Sequence, residues 1–364
     1  MKIAFISGAR SDYGPVRNIL KALSESNLFN LTIVAHGMHH LMSYGDTIKE
    51  IKSDSFGKLV EIVTISDADT KYLEFSHTIN LIHEHLANSS YDFVLIVGDR
   101  LESYASALGA HFAKIRIIHF GGGHLTSGAV DNIYRFNITN LACYHFTTSK
   151  IAYETLQRLP TIETNKVFFC GSPSVDAIKF FLKEPIPITH YLHNIQNEYV
   201  LMTFHPVTLR NEPIVEIIEH VVRFLISKHI GVLITYPNND EKSQEIIKYI
   251  DSIKNNPGVY VMPHLGSKVY YSAIYSSQFV IGNSSSGLVE VPYFNKPIIN
   301  IGDRQEGRAM DCTIVNVKAE VDAVINLLIE KLEYGWNTNN CDELYGDGNA
   351  VNNVLKTLKY IMNA

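Results

Sequence analysis

The chain has 364 residues, 46% of them hydrophobic, and a formal net charge of −6. That length and apolar content suit a globular protein of two domains. The negative balance and the lack of a long basic run speak against a nucleic-acid partner, and no apolar run reaches the ~18 residues needed to cross a bilayer.

The first apolar strand, MKIAFISG, begins at once, with no signal-like segment ahead of it, which reads as a cytoplasmic protein. It ends in SGARSDYG, where Arg10 follows a Gly-Ala turn and can reach a phosphate or a sugar. This is not a G-x-G-x-x-G fingerprint, so a dinucleotide is poorly supported. Further apolar runs follow: LTIVAHG, LVEIVTI, FVLIVGD, IRIIHFG and KVFFCG. Between them lie segments with helical spacing, such as Val16-Ile19-Leu20-Leu23. Near-continuous apolar strands alternating with amphipathic helices predict a parallel sheet covered on both faces. His36, His39 and His40 cluster, as do His77, His83 and His85, without carboxylates or cysteines at metal-ligand spacing. They predict surface or supporting roles and no metal site. Cys143, Cys170, Cys312 and Cys341 lack C-x-x-C spacing and read as buried thiols.

The fourth run ends in VGDRLES, placing Asp99 at its carboxyl end with Arg100 beside it. A carboxylate there can act as a general base or grip a substrate hydroxyl. The fifth leads into HFGGGHLTSGAVDNIYR, where three glycines permit close approach of a ligand or a backbone. His119, His124, Asp131 and Arg135 surround that loop and offer a base and an acid.

Residues 183–194, KEPIPITHYLHN, carry two prolines and no apolar periodicity, and read as an interdomain linker. The pattern then restarts with YVLMTFH, GVLITYP, VYVMP, FVIGN, PIINIG and TIVNV. The expected fold class is therefore α/β, with two doubly wound Rossmann-like domains at 1–182 and 195–345. A terminal helix in 346–364 is expected to pack back on the first domain. Ligands of such sheets bind beyond the carboxyl ends of the strands, and the cleft between two domains is the expected place.

In the second half, TFHPVT puts His205 at a strand end, as a candidate for a phosphate contact or proton transfer. MPHLGSK does the same for His264, suited to a nucleobase. The most informative stretch is GNSSSGLVEVPYFNKPIINIGDRQEGR, 282–308. A strand-to-helix turn leaves backbone N–H groups unpaired. With Ser284, Ser285, Ser286 and Gly287 they form an anion site suited to phosphate. Glu290 lies one turn on and can accept from ribose hydroxyls, while Arg304 and Arg308 can neutralise a diphosphate.

These motifs together resemble the UDP-N-acetylglucosamine 2-epimerase family, its hydrolysing branch above all. The specific parts are RSDYG at 10–14, GDR at 98–100, GAVDNIYR at 128–135, HPVT at 205–208, and GNSSSGLVEVP followed by NIGDRQEGR. The resemblance spans almost the whole chain. It implies the two-domain GT-B fold and release of UDP with inversion at C2 of an acetamido sugar, with no metal or nicotinamide cofactor. It also implies a UDP-sugar as the partner molecule; a homo-oligomer, dimer or tetramer, is expected. It makes Arg10, Arg100, His205, Ser284, Ser285, Glu290, Arg304 and Arg308 nucleotide or substrate contacts, and Asp99 and Asp131 catalytic carboxylates. His124 and His205 are further candidates at the reacting centre. Three departures surround the sugar: Gly121 stands where members carry a histidine or glutamate, His124 where they carry an acid, and Phe136 where they carry a histidine. Two other readings remain: a glycosyltransferase of the same fold, and a UDP-sugar-binding protein impaired in catalysis.

Overall fold

The computed structural model describes residues 1–363 except 42–46, 65–69, 127–129, 197, 208–211, 238–241, 264 and 337–342. The first half runs β1 (Lys2–Ser7), α1 (Arg10–Ser24), β2 (Asn30–Ala35), α2 (Ile48–Asp54), β3 (Lys58–Glu61), α3 (Lys71–Ala87), β4 (Phe93–Val97) and α4 (Leu101–Phe112). It continues with β5 (Arg116–Phe120), α5 (Asp131–Leu141), β6 (Tyr144–Thr147), α6 (Lys150–Gln157), β7 (Val167–Phe169) and α7 (Pro173–Phe181). The seven strands form one parallel sheet in the order β3-β2-β1-β4-β5-β6-β7. β6 has no counterpart among the apolar runs read from the sequence. Its four residues, YHFT, include His145, so the apolar signal there is weak although the strand is mostly buried.

Alternation along β1 explains why both faces are covered. Ile3 and Phe5 join Tyr13, Val16 and Leu20 of α1 in one core layer. Ala4 and Ile6 join Ile82 and Leu86 of α3 and Ala107 and Ala110 of α4 in the other.

The second half runs β8 (Tyr199–Thr203), α8 (Ile214–Ser227), β9 (Gly231–Thr235), α9 (Ser243–Ile253), β10 (Val259–Met262), α10 (Gly266–Ser276) and β11 (Val280–Gly282). Then come α11 (Ser285–Val289), β12 (Ile298–Ile301), β13 (Ile314–Val317), α12 (Val321–Tyr334) and α13 (Ala350–Asn363). Its strands form a second parallel sheet, β10-β9-β8-β11-β12-β13. Val200, Met202, Val232, Ile234, Ile281 and Ile299 pack with Ile217, Val221 and Leu225 of α8 and Val324 and Leu328 of α12. In both sheets the order reverses beside the first strand, between β1 and β4 and between β8 and β11. Such switch points are where loops diverge and ligands bind.

The chain divides into two compact units. One comprises Met1–Leu125, Val130–Asp176 and Tyr345–Ala364; the other comprises Thr126–Ala129 and Ala177–Leu344. α13 belongs to the first unit, where Val354, Leu358 and Ile361 enter the core layer of α1. Residues 183–194 belong to the second unit. Ile188 there is buried, and its N–H donates to Ser276 Oγ at 3.0 Å.

Among the described residues no helix is long and apolar enough to cross a membrane, and no three or more His, Cys, Asp or Glu are grouped to hold a metal ion. The cysteines depart from expectation at one position. Cys170 is buried and Cys143 half-buried, but Cys312 is exposed on the loop after β12; Cys341 lies outside the described residues.

Candidate functional site

In the second unit, three strand-end loops are locked together by one residue, through its side chain and its backbone carbonyl. Gly282 closes β11 with φ +144°, and a Cβ there would sit 1.9 Å from Thr203 O, so only glycine lets β11 run this close to β8. The next residue, Asn283, is fully buried. Its Oδ1 accepts from His205 N at 2.7 Å and its Nδ2 donates to His205 O at 2.8 Å. The amide thus completes the backbone hydrogen bonding of the loop after β8. Asn283 O in turn accepts from Gln305 Nε2 at 2.9 Å and Arg304 Nη1 at 3.3 Å, which ties in the loop after β12. Gln305 is buried at 1% exposure. Arg308 follows, half-buried, with its N–H donating to Gln305 O at 3.2 Å.

Beyond the clamp, Ser284 caps α11, its Oγ accepting from Ser286 N at 3.4 Å. Ser285 and Ser286 are half-buried, and Gly287 is buried. α11 is short, and Glu290 sits at its C-terminal cap, its N–H donating to Ser286 O at 2.9 Å. The Glu290 side chain is half-buried and makes no hydrogen bond within the protein among the described residues. Burial lifts its pKa from an ordinary 4.5 to about 7. Burial, with the nearby charge of Arg304, lowers His205 to about 3, so its imidazole is neutral at neutral pH. His264 lies outside the described residues.

The first unit carries a second group at its own switch point. After β1, Asp12 is buried and accepts from Gly8 N and Ala9 N, both at 3.0 Å, which fixes the turn into α1. Burial raises it to about 7 against the pull of Arg100. Arg10, two residues earlier, is exposed and 3.6 Å from Glu50 Oε2. After β4, Arg100 stands at the N-cap of α4, with Nε 3.3 Å from Glu102 Oε2.

Asp99 does not cap that helix. Its Oδ2 accepts from Arg135 Nε at 3.0 Å and from Arg135 Nη2. Arg135 is buried at 2% and also donates to His124 O and Asn132 Oδ1, both at 2.7 Å. One guanidinium therefore binds the loops after β4 and β5 to α5. Asp99 Oδ1 makes no protein hydrogen bond among the described residues, and the side chain is 31% exposed.

After β5, His119 is fully buried between Gly98 O at 2.8 Å and Thr139 Oγ1 at 3.0 Å, and burial lowers its pKa to about 4. It fastens loops and does not face a ligand. The His124 ring stacks on Tyr345 at 6.4 Å between centroids, and its Nε2 lies 2.8 Å from Thr148 Oγ1. Asp131 is exposed at the first turn of α5, close enough to Arg100 to act on it electrostatically. Gly121 has φ +89° and no atom closer than 3.9 Å to the position of a Cβ, so its surroundings are open. His36 and His39 are buried against hydroxyls, His36 on Ser106 at 2.9 Å and His39 on Ser7 at 2.8 Å.

The sequence motifs singled out these loops but not the groups that hold them: Asn283, Gln305, Asp12 and Tyr270, whose hydroxyl lies 2.6 Å from Ser286 Oγ. An asparagine directly after a strand-ending glycine was the one available signal.

A family model described as UDP-N-acetylglucosamine 2-epimerase matches residues 21–359. The chain is 30% identical over 373 residues to the UDP-N,N'-diacetylbacillosamine 2-epimerase (hydrolyzing) of Legionella pneumophila, covering 99% of this chain and 96% of that protein. It is 30% identical over 345 residues to the GDP/UDP-N,N'-diacetylbacillosamine 2-epimerase (hydrolyzing) of Campylobacter jejuni, covering 91% and 87%. Among solved structures, UDP-GlcNAc 2-epimerase from Neisseria meningitidis bound to UDP-GlcNAc superposes with a TM-score of 0.84 at 20% identity, covering 99% and 100%. That likeness shows the fold: two Rossmann-like domains of GT-B type.

Proposed function

The chain belongs to the UDP-N-acetylglucosamine 2-epimerase family, and from that premise we propose that it is a hydrolysing epimerase. Its substrate in this reading is UDP-N,N'-diacetylbacillosamine, the sugar nucleotide named for both 30% identical relatives. UDP-N-acetylglucosamine is the alternative. The observation that carries the nucleotide half is the three-loop clamp around Asn283, which sets Ser284, Arg304 and the neutral His205 together at one switch point.

The reaction begins with the C1–O bond to UDP. The C2 proton is barely acidic, so this bond breaks ahead of proton loss and charge builds on the departing diphosphate. Preorganised donors facing that charge make the largest contribution to such a step. Ser284, Ser285, Arg10, Arg304 and Arg308 are assigned this role, and Glu290 the ribose hydroxyls; Ser286 and Gly287 donate within the turn, to Ser284 Oγ and Ser284 O, and shape it. Asp99 Oδ1 takes the C2 proton, its carboxylate held by Arg135. Asp131 and His124 serve the following step, in which water adds across the 2-acetamidoglucal to give the C2-inverted sugar. The sum is UDP-sugar plus water giving UDP plus free sugar.

Incubating the protein with each UDP-sugar and no acceptor, then identifying products by NMR, tests this. The expected result is UDP with a manno-configured diacetamido sugar, carrying deuterium at C2 when the solvent is D2O. UDP release only when an acceptor is added would make the protein a glycosyltransferase. Tight UDP binding with no turnover would make it a binding protein.

A further inference from the structure

We propose that Tyr270 is a positioning residue for the diphosphate, acting through a line of hydroxyls that ends at Ser284; the proposal rests on the nucleotide reading above. The line is short. Tyr270 OH lies 2.6 Å from Ser286 Oγ, and Ser286 Oγ lies 3.1 Å from Ser284 Oγ. Ser284 Oγ also accepts from Ser286 N at 3.4 Å. α10, which carries Tyr270, is itself pinned. Tyr199 OH donates to Ala273 O at 2.5 Å, and the neighbouring Tyr271 ring packs on Phe294 at 5.9 Å. The tyrosine hydroxyl is therefore held in place.

Counting protons gives the line a direction. Each hydroxyl has one proton and two lone pairs. An anionic oxygen beside Ser284 accepts the Ser284 proton. The two lone pairs of Ser284 then receive Ser286 N–H and Ser286 O–H. Ser286, its proton spent on Ser284, must accept at its other side, and Tyr270 supplies that proton. Run the opposite way, the line would leave the Tyr270 proton with no acceptor among the described residues. Burial and the charge of Glu290 hold the phenol above its ordinary pKa, so it stays protonated. With all protons pointing one way, each bond polarises the next and Ser284 faces the ligand as a donor only. Tyr270 thus favours an acceptor-rich group such as phosphate without touching it.

Calorimetric titration of UDP and of uridine into the wild type, Tyr270→Phe, Ser284→Ala and the double variant tests the line. Tyr270→Phe removes one oxygen and keeps the ring. It should weaken UDP binding about three- to ten-fold, the net worth of one hydrogen bond, and leave uridine unchanged. The double variant should bind UDP no more weakly than Ser284→Ala alone, because the tyrosine acts through that serine. Additive losses, equal losses for UDP and uridine, or unchanged UDP affinity in Tyr270→Phe would each overturn the proposal. Should Tyr270→Phe fail to fold, Ser286→Ala breaks the line at its middle and is held to the same pattern. A wild type that binds no UDP sinks the nucleotide reading itself, and this proposal with it.

Discussion

Glu290 is a carboxylate poised to change charge near neutrality, and the consequences for ligand and for fold run in opposite directions. Only the ionised form accepts from both ribose hydroxyls, so affinity should rise as pH passes upward through about 7. Uridine isolates this effect because it has the ribose and no titrating phosphate. Its affinity should fall between pH 8 and pH 6 in the wild type and stay level in Glu290→Gln; a level wild-type curve would remove Glu290 from the ribose. The apo-protein behaves oppositely. A carboxyl raised from 4.5 to about 7 binds its proton more tightly when folded, so the stability it contributes is complete below about 4.5 and is lost as pH climbs through about 7. Asp99 carries a second expectation. With Oδ2 held by Arg135, its other oxygen is the one placed to accept a proton. Asp99→Asn should cut kcat by about 10²–10⁴-fold, the usual worth of a general base, with UDP affinity kept. His124→Ala should cost less, since Thr148 already occupies its Nε2. A wild-type kcat in Asp99→Asn would put the base elsewhere. At this scale the sequence disclosed which residues are chemically able. It did not disclose that Arg135, 36 positions from Asp99, would hold that carboxylate, because such pairings depend on how β4 and α5 meet.

The elements were far more legible than their ends. Strands buried on both faces must be apolar at every position, and five-residue runs such as FVLIV and GVLIT announce themselves. β6 does not, because a histidine occupies one of its four positions and is kept neutral by burial, at about 3. α11 was equally hard to delimit, since its first residues are serines that cap and turn as readily as they continue a helix. What holds α11 at the end of β11 is Asn283, and this makes a local change readable over three loops. Asn283→Ala removes both amide bonds to His205 while leaving the backbone carbonyl that receives Gln305 and Arg304. A buried backbone donor and acceptor then each lose this partner, at about 1–3 kcal/mol each. Lower thermal stability together with weakened UDP binding is the expected result. Asn283→Asp keeps the bond from His205 N, loses the one to His205 O, and should fall between. If Asn283→Ala melts and binds like the wild type, the loops are held by something else.

The first unit is discontinuous, and the folded chain shows what holds its last segment in place. Helical periodicity in VLKTLKYIM predicts an amphipathic helix, but periodicity carries no address. The address is set by contacts within the first unit. Asp176 accepts from Ala350 N at 2.8 Å and Val351 N at 2.9 Å, a carboxylate at the start of α13 that suits both its unpaired N–H groups and its dipole. Asn353 Nδ2 donates to Cys170 O at 3.2 Å. Val354, Leu358 and Ile361 then fill the core layer over α1, Leu358 at 2% exposure. Residues 1–176 alone would leave that layer open to water, whereas the second unit draws its core from α8, α9, α12 and its own sheet. Leu358→Ala should therefore cost about 2–5 kcal/mol, and the loss should be confined to the first unit. Deleting 345–364 should go further. In calorimetry the truncated chain should lose the first unit's cooperative transition and keep the second's, and a separate fragment of residues 177–344 should melt cooperatively by itself. A truncated chain that melts with the full enthalpy of the intact protein would show that α13 is an accessory and that residues 1–176 complete their own core.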